Sequence, residues 1–217
     1  MWSGKVVNIT ENRQALHPAL RGSRDSFFPK DIMNEVTKQK KQMLKIAEGV
    51  RNGNIKSHSG KKYTSVLAIG IGGSDLGPRM SVKALTPFKS NIDVRFVSNI
   101  DPSDLINVTA NLDPSKTLII VSSKTFTTVE TLANAKAAFN WLAKNIGEIG
   151  AKNQQYAITS NFDNAKIFGF DATKILLFSE WVGGRTSIWS SVGLPLAISI
   201  GEKPVSYTHL TLPTIRS

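Results

Sequence analysis

Gly70, Gly72 and Gly73, followed at once by Ser74, end a short apolar run and open a polar one: Ser65-Val66-Leu67-Ala68-Ile69-Gly70-Ile71-Gly72-Gly73-Ser74-Asp75-Leu76-Gly77-Pro78. The apolar part reads as a buried strand, the glycines as a turn, and the remainder as the start of a helix. Glycines let a backbone approach a ligand with no Cβ in the way. The first N–H groups of the helix, at the positive end of its dipole, suit an anion such as phosphate. Ser74 can add a hydroxyl donor or cap the helix, so an anion site and a purely structural turn both remain open. Two nucleotide loops are excluded. A dinucleotide fingerprint needs glycine where Asp75 stands and an acid where Val97-Ser98-Asn99 stands. A nucleotide P-loop needs Lys and a hydroxyl after Gly77, where Pro78 and Arg79 stand.

The second stretch is Ser122-Ser123-Lys124-Thr125-Phe126-Thr127-Thr128-Val129-Glu130-Thr131, also between a strand and a helix. Its hydroxyls can donate to phosphate oxygens and Lys124 can supply charge. Thr127 and Glu130 also have capping-box spacing, in which each side chain satisfies the other's backbone N–H. That alternative leaves Ser123, Lys124, Thr125 and Thr128 unexplained. The third stretch is Trp181-Val182-Gly183-Gly184-Arg185-Thr186-Ser187-Ile188-Trp189. Two glycines before Arg185 let a guanidinium leave the backbone close to a ligand, where a fixed planar cation suits a developing oxyanion. A surface arginine after a turn would read the same way in isolation. His17, His58 and His209 show no metal-like spacing and receive no role.

The elements that must position these stretches alternate. Strand-like runs lie at 65–70, 94–97, 118–121, 155–158 and 175–178. Helical stretches lie near 75–86, 102–111, 128–146, 162–169 and 187–200. Near-continuous apolar strands between helices indicate a parallel sheet covered on both faces, which binds ligands beyond its strand C-termini. Leu132, Ala135, Phe139, Leu142 and Ile146 make one apolar face of the helix after the lysine loop. Residues 1–30 read as an irregular arm with one helical turn. A helix follows to about Arg51, capped by Asp31 and ended by Gly53. Its inner side holds Ile32, Val36, Met43, Ala47 and Val50; Lys38, Lys40, Lys41 and Lys45 lie outside.

The chain has 217 residues and a formal charge of +11, most of the excess lying before residue 64. Because much of that charge sits on the outer side of one helix, a solvated face outweighs a nucleic-acid surface. The chain holds no cysteine, which excludes disulfides and thiolate metal sites and fits a reducing compartment. No apolar run reaches the roughly 18–20 residues of a membrane span. A cytoplasmic protein with neither membrane nor nucleic-acid partners is expected.

Taken together, the three stretches resemble the glucose-6-phosphate isomerase (phosphoglucose isomerase) family. The resemblance rests on Ile69-Gly70-Ile71-Gly72-Gly73-Ser74-Asp75-Leu76-Gly77, on Ser123-Lys124-Thr125-Phe126-Thr127-Thr128-x-Glu130-Thr131 and on Val182-Gly183-Gly184-Arg185. Glu11-Asn12-Arg13-x-x-Leu16-His17-x-Ala19-Leu20-Arg21 and Phe96-Val97-Ser98-Asn99 add to it, so that it covers roughly residues 3–201. It implies an α/β fold: a three-layer αβα, flavodoxin-like sugar-isomerase (SIS) domain with a five-stranded parallel sheet, at 31–202, the first of two. It also implies reversible isomerisation of glucose 6-phosphate and fructose 6-phosphate through a cis-enediolate, with no cofactor or metal, in a homodimer. By position, Ser123, Lys124, Thr125 and Thr128 would hold the phosphate and Gly73 and Ser74 would line the sugar site. Arg185 would stabilise the enediolate, and Glu130 would orient a ring-opening histidine from a later segment.

Thr186 stands where the family has an aromatic, and Val129 where it has glutamine. The family's base, and the histidine and lysine of ring opening, lie in segments that the resemblance places beyond Gly201. A truncated and inactive portion of the enzyme is therefore expected; a non-catalytic phosphosugar-binding module is the alternative. Residues 205–217 do not resemble the family, and 203–217 is set apart as the tail. They read as translated adapter sequence, a non-native tail dispensable for folding.

Overall fold

The computed structural model describes residues 6–9, 12–22 and 28–201. Glu11, His209 and the tail at 203–217 lie outside the described residues, as does the Arg185 side chain. Two short antiparallel strands, β1 (Val6–Asn8) and β2 (Arg13–Gln14), come first, followed by a 3-10 turn at His17–Arg21. Helix α1 (Lys30–Asn52) leads into the alternating part. There β3 (Ser65–Ile69), α2 (Gly73–Ala84), β4 (Asp93–Val97), α3 (Pro102–Thr109), β5 (Thr117–Ser122) and α4 (Val129–Asn153) follow in turn. The series ends with β6 (Gln155–Thr159), α5 (Phe162–Phe168), β7 (Ile175–Leu177) and α6 (Leu194–Ile200).

The five strands β3 to β7 form one parallel sheet in the order β4-β3-β5-β6-β7. The chain leaves β3 to one side, returns past it, and continues from β5 to the other side. The reversal between β3 and β5 opens a crevice at their carboxyl ends, where a doubly wound sheet takes its ligand. Alternate side chains of each strand enter opposite layers. Val66, Leu118, Ile120, Tyr156, Ile158 and Leu176 pack against α1, α2 and α6. Leu67, Ile69, Ile119, Val121, Ala157 and Ile175 pack against α3, α4 and α5. All seven residues of α6 are buried, and Arg51 closes its C-terminal end by donating to the carbonyls of Ile198 (2.9 Å) and Ser199 (3.2 Å). Among the described residues no helix is long and apolar enough to cross a membrane.

Several expectations need correction. Asp31 does not cap α1. Pro29 is the N-cap, and Asp31 sits exposed in the first turn, where it still complements the helix dipole. Gly53 does end α1, in the left-handed conformation that glycine reaches without strain. Lys40 is half-buried, whereas Lys38, Lys41 and Lys45 are exposed. The helix expected at 187–200 is broken into 3-10 turns at Gly184–Trp189 and Ser191–Gly193, then α6. Ser190 is the cause. Its hydroxyl donates to the Ser187 carbonyl (2.6 Å) and accepts from the Val192 N–H (3.3 Å), which offers the backbone an alternative to continuous helix. Conversely α4 runs on to Asn153, past a kink at Gly147 (φ 78°, ψ 162°).

Candidate active site

The crevice between the carboxyl ends of β3 and β5 holds a cavity of about 180 Å³. Helix α2 begins at its edge. Gly72, at φ 59° and ψ −120°, turns the chain out of the sheet and is the helix N-cap, so that Gly73 and Ser74 line the cavity as the first two helical residues. The hydroxyl of Ser74 is not used as a cap.

Helix α4 begins at the same cavity. Its N-cap is Thr128, which makes no side-chain cap bond, so the capping box of Thr127 and Glu130 does not form. The hydroxyl of Thr127 lies instead 2.7 Å from that of Thr125. Ser123 Oγ donates to Thr128 Oγ1 at 3.4 Å, and both residues line the cavity with Lys124, Ser122 and Thr131. Two helix N-termini and a lysine thus converge on one small space, an arrangement suited to a multiply charged anion.

The backbone of the lysine loop is tied down from behind. The Lys124 carbonyl accepts from Thr159 Oγ1 (2.9 Å), Ser160 N (3.0 Å) and Ser160 Oγ (2.8 Å), and the Thr125 carbonyl accepts from Asn164 Nδ2 (2.8 Å). Phe126 holds the left-handed conformation (φ 54°) with its ring buried against Phe168 and Phe170.

The third wall is the segment after Trp181. Gly183 and Gly184 line the cavity, and a Cβ on Gly183 would stand 3.2 Å from Lys124 Nζ, so the ammonium lies along bare backbone. Gly184, at φ 64°, places its carbonyl against Gly73: a Cβ there would come within 2.6 Å of the Gly184 carbonyl carbon. Ser187 Oγ donates to the Gly73 carbonyl at 3.2 Å and fastens the same contact. Since backbone cannot yield as a side-chain tip can, Gly73→Ala should cost about 1–3 kcal/mol by overpacking and push the third wall outward. Urea denaturation together with calorimetric titration of inorganic phosphate would measure both effects. An alanine variant with unchanged midpoint and affinity would contradict the close approach.

The cavity brings together five of the eight residues singled out by sequence: Gly73, Ser74, Ser123, Lys124 and Thr128. Thr125 and Glu130 are exposed and do not line it; Arg185 belongs to the third wall by its backbone position. Asp75, beside Ser74, turns the other way. It accepts from Arg79 Nε at 2.9 Å, and Arg79 Nη2 donates to Ser98 at 2.9 Å. Burial pushes the Asp75 carboxyl above its ordinary range, and the Arg79 guanidinium opposes that shift. Sequence reasoning passed over Ser187, although it follows Arg185 by two residues, and His17. The latter places Nε2 2.9 Å from the Gly183 carbonyl oxygen and 3.0 Å from the Gly183 nitrogen.

Strand order and cavity together define a doubly wound αβα domain with its crevice at the strand reversal. The phosphoglucose isomerase profile matches residues 1–208, and the chain belongs to that family. It is 47% identical over 206 residues to a glucose-6-phosphate isomerase of Rhizobium leguminosarum, covering 94% of this chain and 38% of the relative. A glucose-6-phosphate isomerase of Caulobacter sp. (strain K31) is 46% identical over 204 residues, with 93% and 38% covered. The chain therefore spans little more than a third of the length of these relatives. Among solved structures, a glucose-6-phosphate isomerase from Chlamydia trachomatis superposes with a TM-score of 0.75 at 27% identity, over 95% of this chain and 39% of that one. A hypothetical protein from Thermus thermophilus gives 0.64 at 26% identity, over 80% and 40%.

Proposed function

We propose that this chain is the substrate-phosphate-holding portion of an isomerase that interconverts glucose 6-phosphate and fructose 6-phosphate through a cis-enediolate. The observation that carries this reading is the meeting of the α2 and α4 N-termini with Lys124 in one cavity. Ser123, Lys124, Thr125 and Thr128 hold the phosphate, and Gly73 and Ser74 face the sugar. Arg185 stabilises the negative oxygens that develop when a proton leaves carbon 2. Glu130 orients a ring-opening histidine supplied by another segment. Residues 31–202 form the first of two SIS domains, and the complete enzyme works as a cytoplasmic homodimer.

The test is a chain in which residues 1–201 are joined to the remaining length of the Rhizobium leguminosarum relative, produced in a host without its own isomerase. Interconversion of the two sugar phosphates supports the reading. A folded joined chain without it, or one acting only on unphosphorylated sugars, overturns it. In the same chain Lys124→Ala removes a charge-assisted bond of about 1.5–3 kcal/mol, so affinity for inorganic phosphate and for fructose 6-phosphate should fall together by roughly 10- to 150-fold. Unchanged affinity for both ligands would remove Lys124 from the site.

A further inference from the structure

We propose that His17 is a positioning residue for the Gly183-Gly184-Arg185 wall; the catalytic part of this inference rests on the isomerase reading above. Gly183 is fully extended (φ −167°, ψ 174°), so its N–H and C=O point to the same side. Both converge on one atom, His17 Nε2, at 3.0 and 2.9 Å. With its proton on Nδ1 the ring accepts from the Gly183 N–H; with a proton on Nε2 it donates to the Gly183 carbonyl. Either tautomer commits Nε2 to the loop.

The ring itself is held from its own side of the contact. Leu16 and Ala19, which flank it, are fully buried, and His17 stands edge-on to Trp181 at 6.5 Å between centroids and 89° between planes. On the same 3-10 turn, the Arg21 guanidinium lies 5.4 Å from the Trp189 ring centre. The turn at 17–21 therefore touches both ends of the segment 181–189 and bonds to its middle.

Across the loop from His17, the Gly184 carbonyl abuts Gly73 at the start of α2. The backbone that presents Arg185 is gripped between these two contacts, while the phosphate-holding residues are fixed independently through Thr159, Ser160 and Asn164. Loss of His17 should loosen the oxyanion-facing wall and leave the phosphate contacts in place. That separation distinguishes positioning from general structural support.

Two substitutions test this. His17→Phe keeps an aromatic ring against Trp181 and removes both hydrogen-bonding options. His17→Gln offers a carboxamide whose oxygen and N–H can serve the Gly183 N–H and carbonyl together. In the joined chain, His17→Phe should lower kcat about 10- to 100-fold, the cost of a displacement near 1 Å, with KM for fructose 6-phosphate within about threefold of the parent. His17→Gln should recover most of kcat. In the 217-residue chain, amide hydrogen exchange at Gly183, whose N–H bonds His17, should accelerate in His17→Phe and stay slow in His17→Gln.

A folded His17→Phe chain with parental kcat and slow exchange would overturn the proposal. So would a glutamine variant as impaired as the phenylalanine one, or a KM that rises in step with the fall in kcat. If the parent joined chain does not interconvert the sugars at all, the isomerase reading fails. The exchange at Gly183 then still decides whether His17 holds the wall.

Discussion

The 217-residue chain on its own should bind fructose 6-phosphate and return it unconverted. Moving a proton between adjacent carbons requires a base within hydrogen-bond reach of carbon 2. Among the described residues, none of those lining the cavity is Asp, Glu or His. Asp75 is close in sequence but turned onto Arg79, and Glu130 is exposed at the start of α4 outside the cavity lining. A positioned acid or base contributes about 10²–10⁴-fold, and the orientation it would have enforced is lost with it. Calorimetric titration with fructose 6-phosphate and a coupled assay for glucose 6-phosphate, on the purified chain beside the joined one, separate binding from turnover. Comparable turnover in the two would mean that one of these 217 residues is a competent base.

Phe126→Ala should be the most damaging single change to the stability of the lysine loop's surroundings, at about 3–5 kcal/mol. Phe126 is 3% exposed, and its ring meets those of Phe168 (5.8 Å, 68°) and Phe170 (5.6 Å, 85°) edge to face. Such contacts add to the area the ring buries. The backbone at φ 54° is a conformation that a non-glycine residue holds only when its surroundings insist, and here the aromatic cluster insists. Alanine leaves a cavity and removes the anchor that keeps Lys124 and Thr128 on the ligand side of the loop. Urea denaturation should show a lower midpoint at an unchanged slope, with weaker phosphate binding. A loss below about 1 kcal/mol would show that the hydrogen bonds to the Lys124 and Thr125 carbonyls hold the loop unaided.

The sheet was legible because its strands are buried on both sides: runs such as Leu118-Ile119-Ile120-Val121 have few alternatives to a central parallel strand. The glycine-serine turn and the lysine loop were legible because their polar residues sit at strand ends, where a doubly wound sheet places its ligand. Local hydrogen-bond choices were harder to read. Thr127 and Glu130 have the spacing of a capping box, yet Thr128 starts the helix and the Thr127 hydroxyl pairs with Thr125. Asp31 looked like a cap, yet Pro29 already fixes the entry of α1. In each case residues one or two positions apart compete for the same role, and tertiary placement decides between them. His17 stands in a stretch that resembles the family, yet its role was not legible because its partner, Gly183, lies 166 residues away and is bonded through its backbone. No pattern in side-chain types reports such a contact.

Helix α6 has a consequence for how the molecule comes into being. Its seven residues are buried all round, and Leu194, Leu196, Ala197, Ile198 and Ile200 fill the layer that Val36, Met43, Ala47 and Val50 of α1 face from the other side. Arg51 reaches Ile198 across 147 residues of chain. Synthesis runs from α1 toward α6, so the apolar side of the first long helix lacks the part of its cover that α6 supplies while the strands of the sheet are being made. That layer cannot seal until the ribosome has released the final turn of α6, at Ile200. A nascent chain halted anywhere short of it carries an open hydrophobic layer, the kind of surface on which holding chaperones act and on which incomplete products aggregate.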